Sequence, residues 1–285
     1  MRLMIKKIDY NNKAFYCNVG GVLTGFYLTN RLAKIFLEYL GQNILVDFEA
    51  STVTKKINNH RAYQVLYFNE IYNVKSKKHH YNHLKLKHDM IKFLEDKDYY
   101  LFLDLEMTMS YYRQKNFKPE VVQYGYLLMN KNGNVILENG NYVIPVIQNP
   151  ISKKTLDFIS ISQEIFYNQA IDYKIFYVEL KNILEKYQPK IVVWGRNDII
   201  TLDLSYKIHN VKPLTTKLDF IDLLKLHKDY FNLRNDLGLF KAYETYYDTN
   251  LEQEHDAVSD AKVTKKVFEA FVNYTSYELK QIKVK

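Results

Sequence analysis

Two carboxylates interrupt a run that otherwise reads as buried strand, Tyr99 to Thr108, YYLFLDLEMT. Alternate side chains of a strand share a face, so Leu101, Leu103 and Leu105 point one way and Phe102, Asp104, Glu106 and Thr108 the other. Asp104 and Glu106 are therefore neighbouring acids on one face. A strand this apolar is normally covered on both sides, and two adjacent carboxylates there repel each other and lose hydration unless a cation lies between them. A divalent metal answers both costs. The alternative is that the acids lie just past the strand end, in water.

Three further residues have types and places suited to the same chemistry. Ile191 to Trp194 reads as a short apolar strand, Gly195 turns the chain, and a helix starts near Asn197. Asp198 thus falls where a strand ends and a helix begins. Ligand-binding groups of open α/β sheets gather there, although Asp is also a favoured helix cap. Asp203, more than a helical turn further on, is the runner-up for the same role. In Glu254 to Phe271, EHDAVSDAKVTKKVFEAF, the residues Ala257, Ala261, Thr264, Phe268 and Phe271 recur at helical spacing, and the two alanines allow close approach to a sheet. Asp260 lies beside that stripe and reaches toward the sheet. His255 is out of register with Asp260 on a continuous helix, so it precedes the first turn, where it meets solvent and substrate. Taken singly, a histidine or aspartate in such a place is more often a surface or capping residue.

The elements that must position these residues alternate in type. Glu120 to Met129 and Asn134 to Val146 read as two strands around the turn Asn130-Lys131-Asn132-Gly133. Asp172 opens a helix with the stripe Phe176, Leu180, Ile183, Leu184 and Tyr187, and Pro189 ends it.

The order D-x-E on a first strand, Asp after W-G at a later strand end, and H-x4-D opening the last helix resembles the DnaQ-like DEDDh 3′–5′ exonucleases. The resemblance covers residues 98–276. Within it DLEMTM, KPEVVQYG and VVWGRND look most like the Eri-like and KapD-like branch, while Met109 and Ser110 follow Thr108 where proofreading members often carry a glycine. The resemblance implies an α/β fold, an RNase H-like mixed sheet with flanking helices, built from three antiparallel strands and a parallel one. It implies that Asp104, Glu106, Asp198 and Asp260 hold two divalent ions, Mg²⁺ or Mn²⁺, and that His255 is the general base. The implied reaction removes nucleoside 5′-monophosphates from the free 3′ end of a single-stranded nucleic acid, with RNA favoured over DNA. A DNA 3′–5′ exonuclease and a catalytically silent nucleic-acid- or protein-binding regulator are the alternatives.

Charge bears on how such a substrate is held. The chain has 285 residues and a formal net charge of +8. Residues 1–97 carry 16 Lys and Arg against 8 Asp and Glu, and the rest carry 24 against 24, so the whole excess lies in the first third. A basic segment joined to a neutral, acid-bearing one suits a division between holding a polyanion and acting on it. Residues 1–74 read as a small, mostly β domain that can bind nucleic acid. Ala14 to Val19 and Val22 to Thr29 form a hairpin around Gly20-Gly21, a helix capped by Asn30 follows, and Asn43 to Ala50 and Ala62 to Val74 are extended. This order is compatible with an OB-like barrel. Residues 75–97, rich in Lys and His, read as a basic linker or helix, and residues 277–285 as a basic tail. Lys75, Lys77 and Lys78, with Met107 and Thr108 beside the acids, are the expected substrate contacts. The single cysteine, Cys17, excludes an internal disulfide framework, and no long apolar segment follows the start, so the expectation is a cytoplasmic chain with no membrane partner.

Overall fold

The computed structural model describes residues 1–58, 60–95, 97–110, 116–231, 233, 235–249 and 255–283. The chain divides into two compact units, Met1–Asp89 and Met90–Lys285.

The first unit is built from β1 (Arg2–Asp9), β2 (Ala14–Val19), β3 (Val22–Tyr27), α1 (Asn30–Phe36), β4 (Ile44–Ile57), β5 (His60–Asn73), β6 (Lys78–Asn82) and most of α2 (His83–Glu95). The β2–β3 turn needs two residues at positive φ, and Gly20 (+56°) and Gly21 (+83°) supply them. β1, β2 and β3 follow one another antiparallel, β3 pairs parallel with the start of β5, and β5 returns through antiparallel β4 to β1. The five strands therefore close on themselves. Inside, Phe15, Phe26, Phe48 and Phe68 form an aromatic centre, with Phe26 and Phe48 edge to face at 4.8 Å. Burying one such side chain contributes roughly 1.5–3 kcal/mol.

Several expectations shift here. Thr29, not Asn30, caps α1: its backbone is extended and its hydroxyl accepts from the Leu32 N–H at 3.3 Å. The basic stretch read as linker or helix forms a turn, then β6 on the edge of β5, then α2, which runs through the boundary between the units.

In the second unit β7 (Tyr99–Met107), β8 (Val121–Asn130) and β9 (Val135–Tyr142) form an antiparallel meander. Then come α3 (Lys153–Phe158), α4 (Gln163–Gln169), α5 (Tyr173–Tyr187), β10 (Lys190–Val193), α6 (Asn197–Ile208), β11 (Phe220–Asp222), α7 (Leu223–Phe231), α8 (Leu239–Tyr247) and α9 (Ala257–Lys283). The sheet order is β11-β10-β7-β8-β9, with β10 parallel to β7 and to β11. There are thus two strands on the parallel side where one was expected; β11 has only three residues and no legible alternation. The two faces of β7 serve different cores. Leu101, Leu103 and Leu105 pack with Phe176, Leu180 and Leu202 of α5 and α6, and Tyr100 and Phe102 pack with Ala261, Phe268 and Phe271 of α9. Helices therefore cover both faces. The expected tail is continuous with α9, which extends to Lys283; residues 284–285 lie outside the described residues. Among the described residues no helix is long and apolar enough to cross a membrane.

Candidate active site

Asp104 and Glu106 stand on β7 on the face that meets α9, opposite Gly125 and Gln123 of β8. α9 lies close to the sheet there because Gly125 has no side chain. A Cβ on it would be 2.2 Å from the Ala257 carbonyl carbon and from the Val258 nitrogen, and one on its register partner Gly140 would be 2.3 Å from a Val258 methyl. This approach brings Asp260 to the acids of β7. Asp198, in the first turn of α6, comes from the side of β10, and its Oδ1 accepts from the Leu105 N–H, between the two β7 acids, at 3.1 Å.

The four carboxyls burden one another. Glu106, Asp198 and Asp260 are 8%, 6% and 6% exposed, and no Lys or Arg of the described residues forms a salt bridge with any of the four acids. Burial first, then the charges of Asp198, Asp260 and Glu106, holds the Asp104 carboxyl well above the usual carboxylate range. Glu106 is pushed up to about 8 by burial and then by Asp260 and Asp198. Asp198 is raised to about 7 by burial, against the opposing hydrogen bonds from Leu105 and its own N–H, and Asp260 to about 6 by burial and then Asp256. Glu120 marks the contrast. It is also buried, but its carboxylate accepts backbone N–H groups of Val146, Ile147 and Gln148 at 2.7–3.0 Å. Asp260 Oδ1, by comparison, is buried with no hydrogen-bond partner. Hard oxygen donors gathered without a countercharge, one of them orphaned, fit a divalent cation.

His255 completes the cluster, since one ligand atom each from Glu106, His255 and Asp260 lie within 4.8 Å of one another. Its ring lies against Phe158 at 4.2 Å between centroids, tilted by 33°. Phe158 ends α3, which is anchored at buried Thr155, whose hydroxyl accepts from the Met109 N–H at 3.0 Å.

The remaining expected residues are placed differently. Asp203 faces outward on α6 and pairs with Lys207 at 2.6 Å. Thr108 is buried, its hydroxyl accepting from the Glu120 N–H at 3.0 Å. Met107 is partly exposed, and its sulfur accepts from the Thr201 hydroxyl at 3.3 Å. Lys75, Lys77 and Lys78 are exposed at the turn into β6 of the first unit. Sequence reasoning overlooked Gly125, Gln123, Asp256 and Phe158. The motif KPEVVQYG contains the first two, and a glycine inside an apolar strand is a signal of close backbone approach.

No protein-family model matches the chain. A probable 3′–5′ exonuclease KapD from Bacillus subtilis (strain 168) is 27% identical over 170 residues, 59% of this chain and 82% of the relative. Among solved structures, the nuclease domain of 3′hExo, a DEDDh family member bound to rAMP, is similar with a TM-score of 0.52 at 16% identity, over 62% of this chain and 91% of that one. Exonuclease I of E. coli in complex with a dT13 oligonucleotide gives a TM-score of 0.51 at 16% identity, over 65% of this chain and 43% of that one. At these identities the two structures establish a shared fold.

Proposed function

We infer, from its membership of the DnaQ-like 3′–5′ exonuclease family, that this chain hydrolyses the terminal phosphodiester at the free 3′ end of a single-stranded nucleic acid, releasing nucleoside 5′-monophosphates, with RNA preferred. The observation that carries the reading is the uncompensated acid cluster beside His255. Asp104, Glu106, Asp198 and Asp260 would hold two divalent ions, Mg²⁺ or Mn²⁺. Such ions, when bound, supply a more acidic water and neutralise charge developing on the phosphate. His255, held against Phe158, accepts the proton of the attacking water through a ring nitrogen. α9 and β7 exclude bulk water from Glu106 and Asp260, which strengthens every charge interaction at the scissile bond.

The preference for RNA draws on the ribonucleotide bound by 3′hExo; the dT13 bound by exonuclease I keeps DNA as the second reading. The closed strand order of the first unit, with α1 between β3 and β4, supports the OB-like reading, and residues 1–89 carry 14 Lys and Arg against 6 Asp and Glu. In this reading the first unit holds the strand through its phosphates, Lys75, Lys77 and Lys78 among the contacts.

Matched labelled RNA and DNA strands, incubated with the full chain in Mg²⁺ or in EDTA, test the assignment. Faster shortening of RNA, abolished by EDTA, supports it; faster shortening of DNA replaces the substrate, and no shortening of either leaves a binding protein. Replacing Lys75, Lys77 and Lys78 by Ala together should raise KM and flatten the salt dependence by about 0.7 per lost phosphate contact. An unchanged KM and slope would remove these lysines from the substrate path.

A further inference from the structure

His255 has φ +48°, a left-handed conformation uncommon for residues with a side chain, although His adopts it more readily than most. The residues after it show what holds it there. Asp256 caps α9: its Oδ2 accepts from the Ser259 N–H at 2.9 Å and its carbonyl accepts from the Asp260 N–H at 2.9 Å. Its other carboxylate oxygen, Oδ1, accepts from Gln123 Nε2 at 2.8 Å. Gln123 is 5% exposed, and its Oε1 accepts from the Ala257 N–H at 3.4 Å. The Ala257 N–H orients the amide, because a backbone N–H only donates and so must face the oxygen, which leaves Nε2 for Asp256. Gln123 also stands directly opposite Glu106 in the sheet. One side chain therefore links the strand beside Glu106 to both residues that follow His255 and start the helix carrying Asp260.

We propose that Gln123, acting through Asp256, is a positioning residue that fixes the turn at His255 and so sets His255 and Asp260 against Glu106. The pair also accounts for a further acid beside the cluster. Asp256 adds negative charge near Asp104, Glu106 and Asp260, yet both of its carboxylate oxygens are occupied by N–H donors. It serves the turn. The inference rests on the exonuclease reading, in which His255 is the base.

A swap of polarity tests it in the full-length protein. Gln123→Glu sets two carboxylates against each other. The double variant Gln123→Glu/Asp256→Asn restores a donor and an acceptor in reversed order, keeps an oxygen to cap Ser259, and leaves the total charge unchanged. The expected result is a loss of about 10–100-fold in kcat for Gln123→Glu, with KM little altered, as for partners that orient first ligands elsewhere. The double variant should recover most of it. A readout independent of turnover is the ring resonance of His255 in ¹³C-histidine-labelled, metal-free protein, assigned by its loss in His255→Gln. It should move in Gln123→Glu and return in the double variant. Gln123→Met, which keeps the length without the amide, gives both readouts if the charged variant does not fold.

An unmoved resonance and unchanged kcat in the single variants would overturn the proposal. So would a double variant no better than Gln123→Glu alone. A wild-type protein that cleaves no strand would instead overturn the exonuclease reading, and the resonance would still decide whether Gln123 fixes the turn.

Discussion

Leu105 donates its backbone N–H to Asp198 Oδ1 across 3.1 Å, so the strand carrying Asp104 and Glu106 also fixes the third acid. Asp198→Asn keeps an oxygen for that bond and removes only the charge. It should therefore fold normally and lose cleavage. Asp203→Asn breaks an exposed pair with Lys207, an interaction worth about 0–1 kcal/mol, and should leave the rate near wild type. Initial rates and melting curves of the two variants check this. Equal losses in both would contradict the choice of Asp198.

The acid cluster predicts an inverted pH dependence of stability without metal. Glu106, Asp198 and Asp260 titrate near 8, 7 and 6 in the fold, all above their ordinary range, so the folded state retains protons that the unfolded state has released. That stabilisation is complete below the unfolded values, about pH 4, and is lost as pH rises toward 8. Melting in EDTA should therefore drop between pH 5 and 8, and Mg²⁺ should offset the drop. Asp104→Asn, which takes out of the cluster a carboxyl whose charged form burial and its neighbours disfavour, should be more stable than wild type in EDTA at pH 8 by about 0.5–2 kcal/mol and inactive in Mg²⁺. A flat melting profile in EDTA would contradict the mutual repulsion.

His255→Ala removes the proposed base and leaves the four acids in place. The rate should fall by about 10² to 10⁴-fold. Mn²⁺ binding, followed by calorimetry, should be largely retained. Turnover close to wild type would exclude the assigned role.

Gly125→Ala places a Cβ against the backbone of Ala257 and Val258, and neither backbone atom can swing aside as a side chain would. α9 must lift from the sheet and carry Asp260 with it. Overpacking of this kind costs about 1–3 kcal/mol or more, and activity should fall with it. Gly41→Ala, which meets open space and has no positive φ, is the control and should change stability by no more than about 1 kcal/mol. Equal behaviour of the two would show that the approach at Gly125 is not needed.

What the sequence makes legible follows from the range of the interactions. Asp104 and Glu106 stand out because strand alternation is local, and Asp198 because the strand, turn and helix around it span a few residues. Asp260 follows from an alanine stripe on its own helix. Gln123 and Asp256 are 133 residues apart, and nothing near either announces the other. The parallel pairing of β3 with β5 that closes the first unit is similarly non-local, and β11 is too short to show a period. Thr29 displaces Asn30 as cap because the competition is decided by one residue of backbone angle, which composition does not reveal.

The most direct test follows a single-stranded RNA labelled at its 5′ end through its reaction with the wild-type chain in Mg²⁺, with the released nucleotides identified. The expected outcome is a ladder shortening from the 3′ end, nucleoside 5′-monophosphates as the only small product, and neither one in EDTA or with Asp104→Asn. Internal fragments from the first time point, loss of the labelled 5′ nucleotide before the ladder forms, or undiminished cleavage in EDTA would contradict it.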